Sequence, residues 1–127
     1  MQADSVSMKE AINEWLNRRV KAVGGLACGV RFPDKTSLTQ SWSNDFPAQG
    51  LENAWRCASD TFQVLKINFF PSQYIRWVYE NAFLYCVRRE DGVCLGIFTP
   101  RNAQAYNVHE LKRLLAEFRA LGELSPR

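Results

Sequence analysis

Apolar residues Met8, Ala11, Ile12, Trp15, Leu16 and Val20 recur at spacings of three and four, which predicts an amphipathic helix over 8–22. Ser7 stands three residues before Glu10, a capping box that places the helix start there, and Gly24-Gly25 ends the helix. Leu26, Cys28, Val30 and Phe32 then alternate with Gly25, Ala27, Gly29 and Arg31, as a half-buried strand does. Pro33-Asp34-Lys35 is a turn, and 36–42 the second arm of a hairpin. Asn44-Asp45-Phe46-Pro47 offers capping oxygens and then a proline suited to the first turn of a second helix, over 47–67. After Phe69-Phe70-Pro71-Ser72 the period falls to two, over 74–79, 82–88 and 93–99. Breaks at Glu80-Asn81 and Glu90-Asp91-Gly92 make these a three-stranded meander. Asn107 and Glu110 form a second capping box before Leu111, Leu114, Leu115, Phe118 and Leu121, the stripe of a third helix.

The order is α-β-β-α-β-β-β-α without an internal repeat. Tight links between successive strands favour antiparallel pairing, and the middle helix is the single long crossover, so five strands can share one sheet with helices on its faces. The expected class is α/β in the α+β sense. The 127 residues suit one domain, 1–127 with its core at 8–121, and leave Met1–Val6 and Glu123–Arg127 as the tails. With 46% hydrophobic and 23% charged residues, the composition is that of an ordinary globular chain.

Charge and cysteine usage narrow the chemistry. The net charge of +3 is mild and the arginines are scattered, which makes nucleic acid an unexpected partner. Cys28, Cys57, Cys86 and Cys94 stand singly with one histidine in the chain, too few parts for a zinc site, so no metal is expected. Met1-Gln-Ala-Asp-Ser lacks the basic and apolar regions of a signal peptide, and no apolar run approaches a membrane span. A cytoplasmic protein with reduced core cysteines is the expectation. No glycine-rich phosphate loop precedes a helix; Gly24-Gly25 opens a strand instead. His109 falls in a helical first turn with no nucleophile signature nearby, and Glu90-Asp91 is a turn pair. No catalytic residue, cofactor or metal ligand is assigned, and the chain reads as a non-enzyme.

The middle helix carries more information. Leu51, Trp55, Ala58, Phe62 and Leu65 make a bulky stripe, and Ala54, Cys57, Thr61 and Val64 a second, smaller one beside it. Together they span about half the circumference, against the roughly 100° needed to cover one surface. Such a helix is either sunk between the sheet and its neighbours or faces its sheet on one stripe and another subunit on the other. Small residues permit close approach, and a two-fold dimer needs a self-complementary patch. The next strand, Tyr74-Ile75-Arg76-Trp77-Val78-Tyr79, has large side chains on both faces and follows the crossover, a setting for a sheet edge open to pairing. The expected homodimer interface is therefore Ala54, Cys57, Thr61 and Val64 with Tyr74, Arg76, Trp77 and Val78.

Over 8–121 the chain resembles the roadblock (dynein light chain) family. The resemblance is carried by the helix running into Val20-Lys-Ala-Val-Gly-Gly-Leu-Ala-Cys-Gly-Val30, by the apolar middle helix, by the segment from Asn81 to Thr99, and by Leu111 to Leu121. It implies a five-stranded antiparallel sheet with the middle helix on one face and the terminal helices on the other. It also implies homodimers joined through the middle helix and third strand, acting as scaffolds or regulators of small Ras-like GTPases. The chain departs from the family pattern at Pro33-Asp34-Lys35, where Asp-Gly is common, and in its four tryptophans. A profilin-like or sensor-like domain is the alternative, with Trp15, Trp42 and Trp55 lining a ligand pocket between sheet and helices.

Overall fold

The computed structural model describes residues 2–68 and 74–124, so the Phe69-Phe70-Pro71-Ser72 boundary lies outside the described residues. The elements are α1 (Gln2–Ala22), β1 (Ala27–Arg31), β2 (Ser37–Ser41), α2 (Ala48–Ile67), β3 (Tyr74–Val78), β4 (Phe83–Arg88), β5 (Cys94–Thr99) and α3 (Val108–Leu124). The strands form one antiparallel sheet in the order β2-β1-β5-β4-β3. The first hairpin joins the meander through β1 and β5, with Gly29 directly opposite Gly96.

Each face of the sheet carries its own core. Ile12, Leu16 and Val20 of α1 pack with Leu111, Leu114, Leu115 and Phe118 of α3 over Cys28, Val30, Tyr85 and Ile97. Leu51, Trp55, Ala58 and Phe62 of α2 cover the opposite face with Ala27, Leu84, Cys86 and Phe98. The terminal helices thus share one layer and α2 forms the other.

Three local expectations are corrected. Helix α1 begins at Gln2, so Ser7 lies inside it and the Ser7/Glu10 box does not mark its start. No proline or glycine stands between Gln2 and Val23 to stop the helix, which takes in most of the expected N-terminal tail. Glu123 is likewise helical, within α3. Strand β1 is buried on both faces, from Ala27 to Val30, because helices cover both sides of the sheet. The N-cap of α2 is Pro47 itself, without a side-chain cap, so the oxygens of Asn44 and Asp45 do not serve there.

Elsewhere local chemistry acts as read. Gly24, at φ 90°, ends α1 in a Schellman motif: the Gly25 N–H reaches the Val20 carbonyl at 3.0 Å and the Gly24 N–H that of Lys21 at 3.2 Å. Asn107 caps α3, its Oδ1 accepting from the Glu110 N–H at 3.1 Å. In the first hairpin Lys35 takes the left-handed conformation, φ 72°, where glycine is usual. Asp34 braces that turn, accepting from the Thr36 N–H at 3.0 Å and from Lys9 of α1 at 2.8 Å.

Candidate interaction surface

The placement of α2 is decided by one indole. Trp55 is 2% exposed and lies flat on the glycine pair of β1 and β5. A Cβ on Gly29 would stand 2.0 Å from its ring, and one on Gly96 2.5 Å. Its Nε1 donates to Thr39 Oγ1 of β2 at 2.9 Å. Anchored this way, α2 packs on β1, β2 and β5 and less on β4, with Ile75 and Trp77 of β3 against the margin of its core. Trp55 therefore fills the space between α2 and the sheet as core.

The second stripe of α2 lies beside the buried one, on the flank of the helix that meets Trp77 and Tyr79. Cys57 and Val64 are exposed, and Ala54 and Thr61 half-exposed. The Thr61 hydroxyl donates to the Cys57 carbonyl at 2.8 Å, which satisfies it within the helix and leaves its methyl group facing outward.

Strand β3 is an edge strand, as its sequence suggested. The opposite edge, β2, is held by helices on both sides: Trp55 reaches Thr39, and Gln40 Nε2 donates to the Asn13 carbonyl of α1 at 2.7 Å. The side chains of β3 alternate. Ile75 and Trp77 lean toward the α2 core, and Tyr74, Arg76 and Val78 toward the α1/α3 side. There Tyr74 meets Tyr85 at 6.5 Å between ring centroids, and the Arg76 guanidinium lies 4.7 Å from the centre of the Phe83 ring.

The eight expected interface residues thus fall on two surfaces that share one edge. Ala54, Cys57, Thr61 and Trp77 come together in a groove of about 220 Å³ between α2 and the sheet, with Asn53, Ala58, Tyr79 and Leu84. Val64 stands on the same stripe one turn beyond Thr61. Tyr74, Arg76 and Val78 do not join this groove. Tyr79 and Leu84 were missed as groove residues. Tyr79 follows the strand directly, and its 6.0 Å ring contact with Phe98 places it on the α2 side. Burial raises its phenol above the ordinary range, with smaller contributions from Cys86 and Cys57.

The exposed apolar residues gather at this edge. Six large ones are exposed among the described residues, and five of them, Val64, Ile67, Tyr74, Val78 and Tyr79, lie on α2, on β3 or just after it. Scattered single exposures are ordinary; a concentration at one edge marks a contact surface. The thiols divide in the same sense. Burial pushes Cys28 up to about 12 and Cys86 higher still, and raises Cys94, whereas Cys57 is exposed. His109 is exposed on the first turn of α3. No described helix is long and apolar enough to cross a membrane.

An open five-stranded antiparallel sheet in the order 2-1-5-4-3, with one crossover helix on one face and the two terminal helices on the other, is the roadblock fold. Solved structures bear this out. The gliding protein MglB of Thermus thermophilus superposes with a TM-score of 0.66 at 14% identity, over 91% of each chain. MglB of Myxococcus xanthus gives 0.63 at 10% identity, over 84% of this chain and 89% of that one. A Roadblock/LC7 domain of Streptomyces avermitilis gives 0.59 at 16%, over 84% and 94%. No family model matches the sequence, and no curated protein matches it.

Proposed function

We propose that the chain is a non-catalytic homodimeric interaction module in which α2 and β3 of two copies meet, and that the dimer is a scaffold or regulator of a small Ras-like GTPase. The observation that carries the first part is the gathering of exposed apolar side chains on the outer stripe of α2 and along the edge strand β3. A second copy placed by two-fold symmetry presents the same stripe and the same edge, so it covers the apolar groove and extends the sheet beyond β3. The similarity in fold to the two MglB proteins and to the Roadblock/LC7 domain supports the module reading. The GTPase partner follows from the family resemblance of the sequence. The position of Trp55 weighs against the sensor alternative, because the indole occupies the space a ligand would need.

Sedimentation equilibrium at tens of micromolar tests the dimer: a species of twice 14.6 kDa is expected, and one of 14.6 kDa refutes it. Affinity capture from the native cell extract tests the partner. Recovery of a small GTPase supports the reading, and recovery of only metabolic enzymes or DNA sinks it.

A further inference from the structure

On the α1/α3 side of the sheet, α3 lies over β4 and stops short of β3. The gap is a groove of about 340 Å³ with an apolar floor of Val87, Leu115 and Ala116, walled by Tyr74 and rimmed by Lys112 and Arg119. Lys112, Leu115, Ala116 and Arg119 fall at i, i+3, i+4 and i+7, one stripe along two turns of α3 next to its core stripe. Farther along the same face, Arg76 and Arg101 lie on Phe83, at 4.7 Å and 5.5 Å from its ring centre.

Charge marks the groove. Arg19 and Arg113 of the same layer are paired with Glu117 and Glu110. Lys112, Arg119, Arg76 and Arg101 have no carboxylate partner among the described residues; Arg101 reaches only a backbone carbonyl, that of Glu80, at 3.3 Å. An apolar trough with unneutralised cations at both ends of its α3 wall is complementary to an apolar ridge flanked by acids. Lys112 and Arg119 lie about 10.5 Å apart along the helix axis, the separation of two carboxylates seven residues apart on a helix laid alongside. Residues i+3 and i+4 of that helix then face the trough.

We propose that the groove between α3 and β3 docks an acidic amphipathic helix of a partner protein, with leucine-like side chains on Leu115 and Ala116 and carboxylates on Lys112 and Arg119. The floor and both cations belong to a single chain and lie across the sheet from α2; the Tyr74 wall sits on the edge strand of the dimer proposed above, so the association state is measured beside the binding.

The test is fluorescence anisotropy with the full chain and a helix-stabilised, fluorescein-labelled peptide in which two glutamates seven residues apart flank a Leu-Leu pair. Saturable binding below about 1 mM is expected, along with a clear preference over the same peptide carrying lysines in place of the glutamates. The double variant Lys112→Glu/Arg119→Glu, changed at two residues outside the core, is expected to weaken binding at least about tenfold and to prefer the lysine peptide. Absence of saturable binding, equal binding of the two peptides by the wild type, or an unchanged affinity in the double variant overturns the proposal. So does competition by single-stranded oligothymidylate stronger than by unlabelled peptide, which marks the surface as a nucleic-acid platform. Sedimentation of wild type and variant is run alongside. The variant is expected to keep the wild type's association state, so a failed dimer reading appears in both proteins and separately from peptide binding.

Discussion

Adding one methyl group at Gly29 tests how α2 is held. Gly29→Ala places a Cβ 2.0 Å from Trp55 Cε2 and 2.1 Å from Nε1, inside any contact that real atoms adopt. The indole cannot swing clear, since Trp55 is 2% exposed and its ring also lies on Gly96. The helix must lift or the indole must leave its rotamer, an overpacking cost of about 1–3 kcal/mol. Either movement breaks the 2.9 Å bond to Thr39, worth a further ~0.5–1.5 kcal/mol. The sum of about 2–4 kcal/mol is a large part of the 5–15 kcal/mol typical of a domain and lowers a urea midpoint by about 1–2 M. The assay is urea unfolding followed by far-UV circular dichroism at one fixed protein concentration, because a dimer's stability depends on concentration. Trp55→Leu alone leaves a void and costs about 2–4 kcal/mol. In the double variant the new methyl group takes up part of that void, so the two costs fall short of their sum by about 1–2 kcal/mol. A midpoint shift under about 0.2 M for Gly29→Ala, or additivity within about 0.5 kcal/mol, refutes the account of Trp55 as the anchor.

Two further outcomes are expected. If two copies meet through α2 as proposed, Cys57→Arg puts a desolvated like-charge pair near the two-fold axis at a cost of several kcal/mol, and the dimer is expected to split in sedimentation. In the wild type a short bismaleimide joins the two Cys57 thiols and leaves buried Cys28, Cys86 and Cys94 untouched; a fully dimeric variant together with absent cross-links rules out helix-to-helix contact. Asp34 titrates well below the ordinary carboxylate range, because it accepts from Lys9 and then from the Thr36 hydroxyl and N–H. Its folded pKa is depressed, so its contribution is present above the unfolded value near 4 and is lost as pH falls toward the folded one. Carbon-detected NMR titration of the Asp34 carboxyl is expected to show this, and Lys9→Met to move the midpoint up; an unchanged midpoint removes the tie between α1 and the first hairpin.

Much of the fold is legible in the chain because its signals are local. The change of period from 3.6 to 2 marks the eight elements, Gly24 ends α1, Asn107 caps α3, and the double stripe of α2 separates its inward from its outward residues. Local signals mislead where nothing local enforces them: the Ser7/Glu10 pair has no breaker before it, and the helix runs through. Period two also implies that Trp77 points away from Tyr74, Arg76 and Val78, so those four residues share an edge without sharing a face. Which face meets α2 is decided by pairing, Trp77 lying opposite Leu84.

Only the tertiary structure decides what depends on partners distant in sequence. Gly29 and Gly96 are 67 positions apart and become the floor for one indole only when β1 pairs with β5. Helices packed on both sides of the sheet bury both faces of β1, where alternation alone implied a half-exposed strand. The pairing of β1 with β5 draws α2 toward β1 and β2. The sequence by itself therefore determined the elements and the apolar excess on α2 and β3, because propensity and periodicity act over a few residues. The edge position of β3 follows from strand pairing, and the two grooves beside it arise from the positions of helices over the sheet, which are set by close packing between elements far apart in the chain.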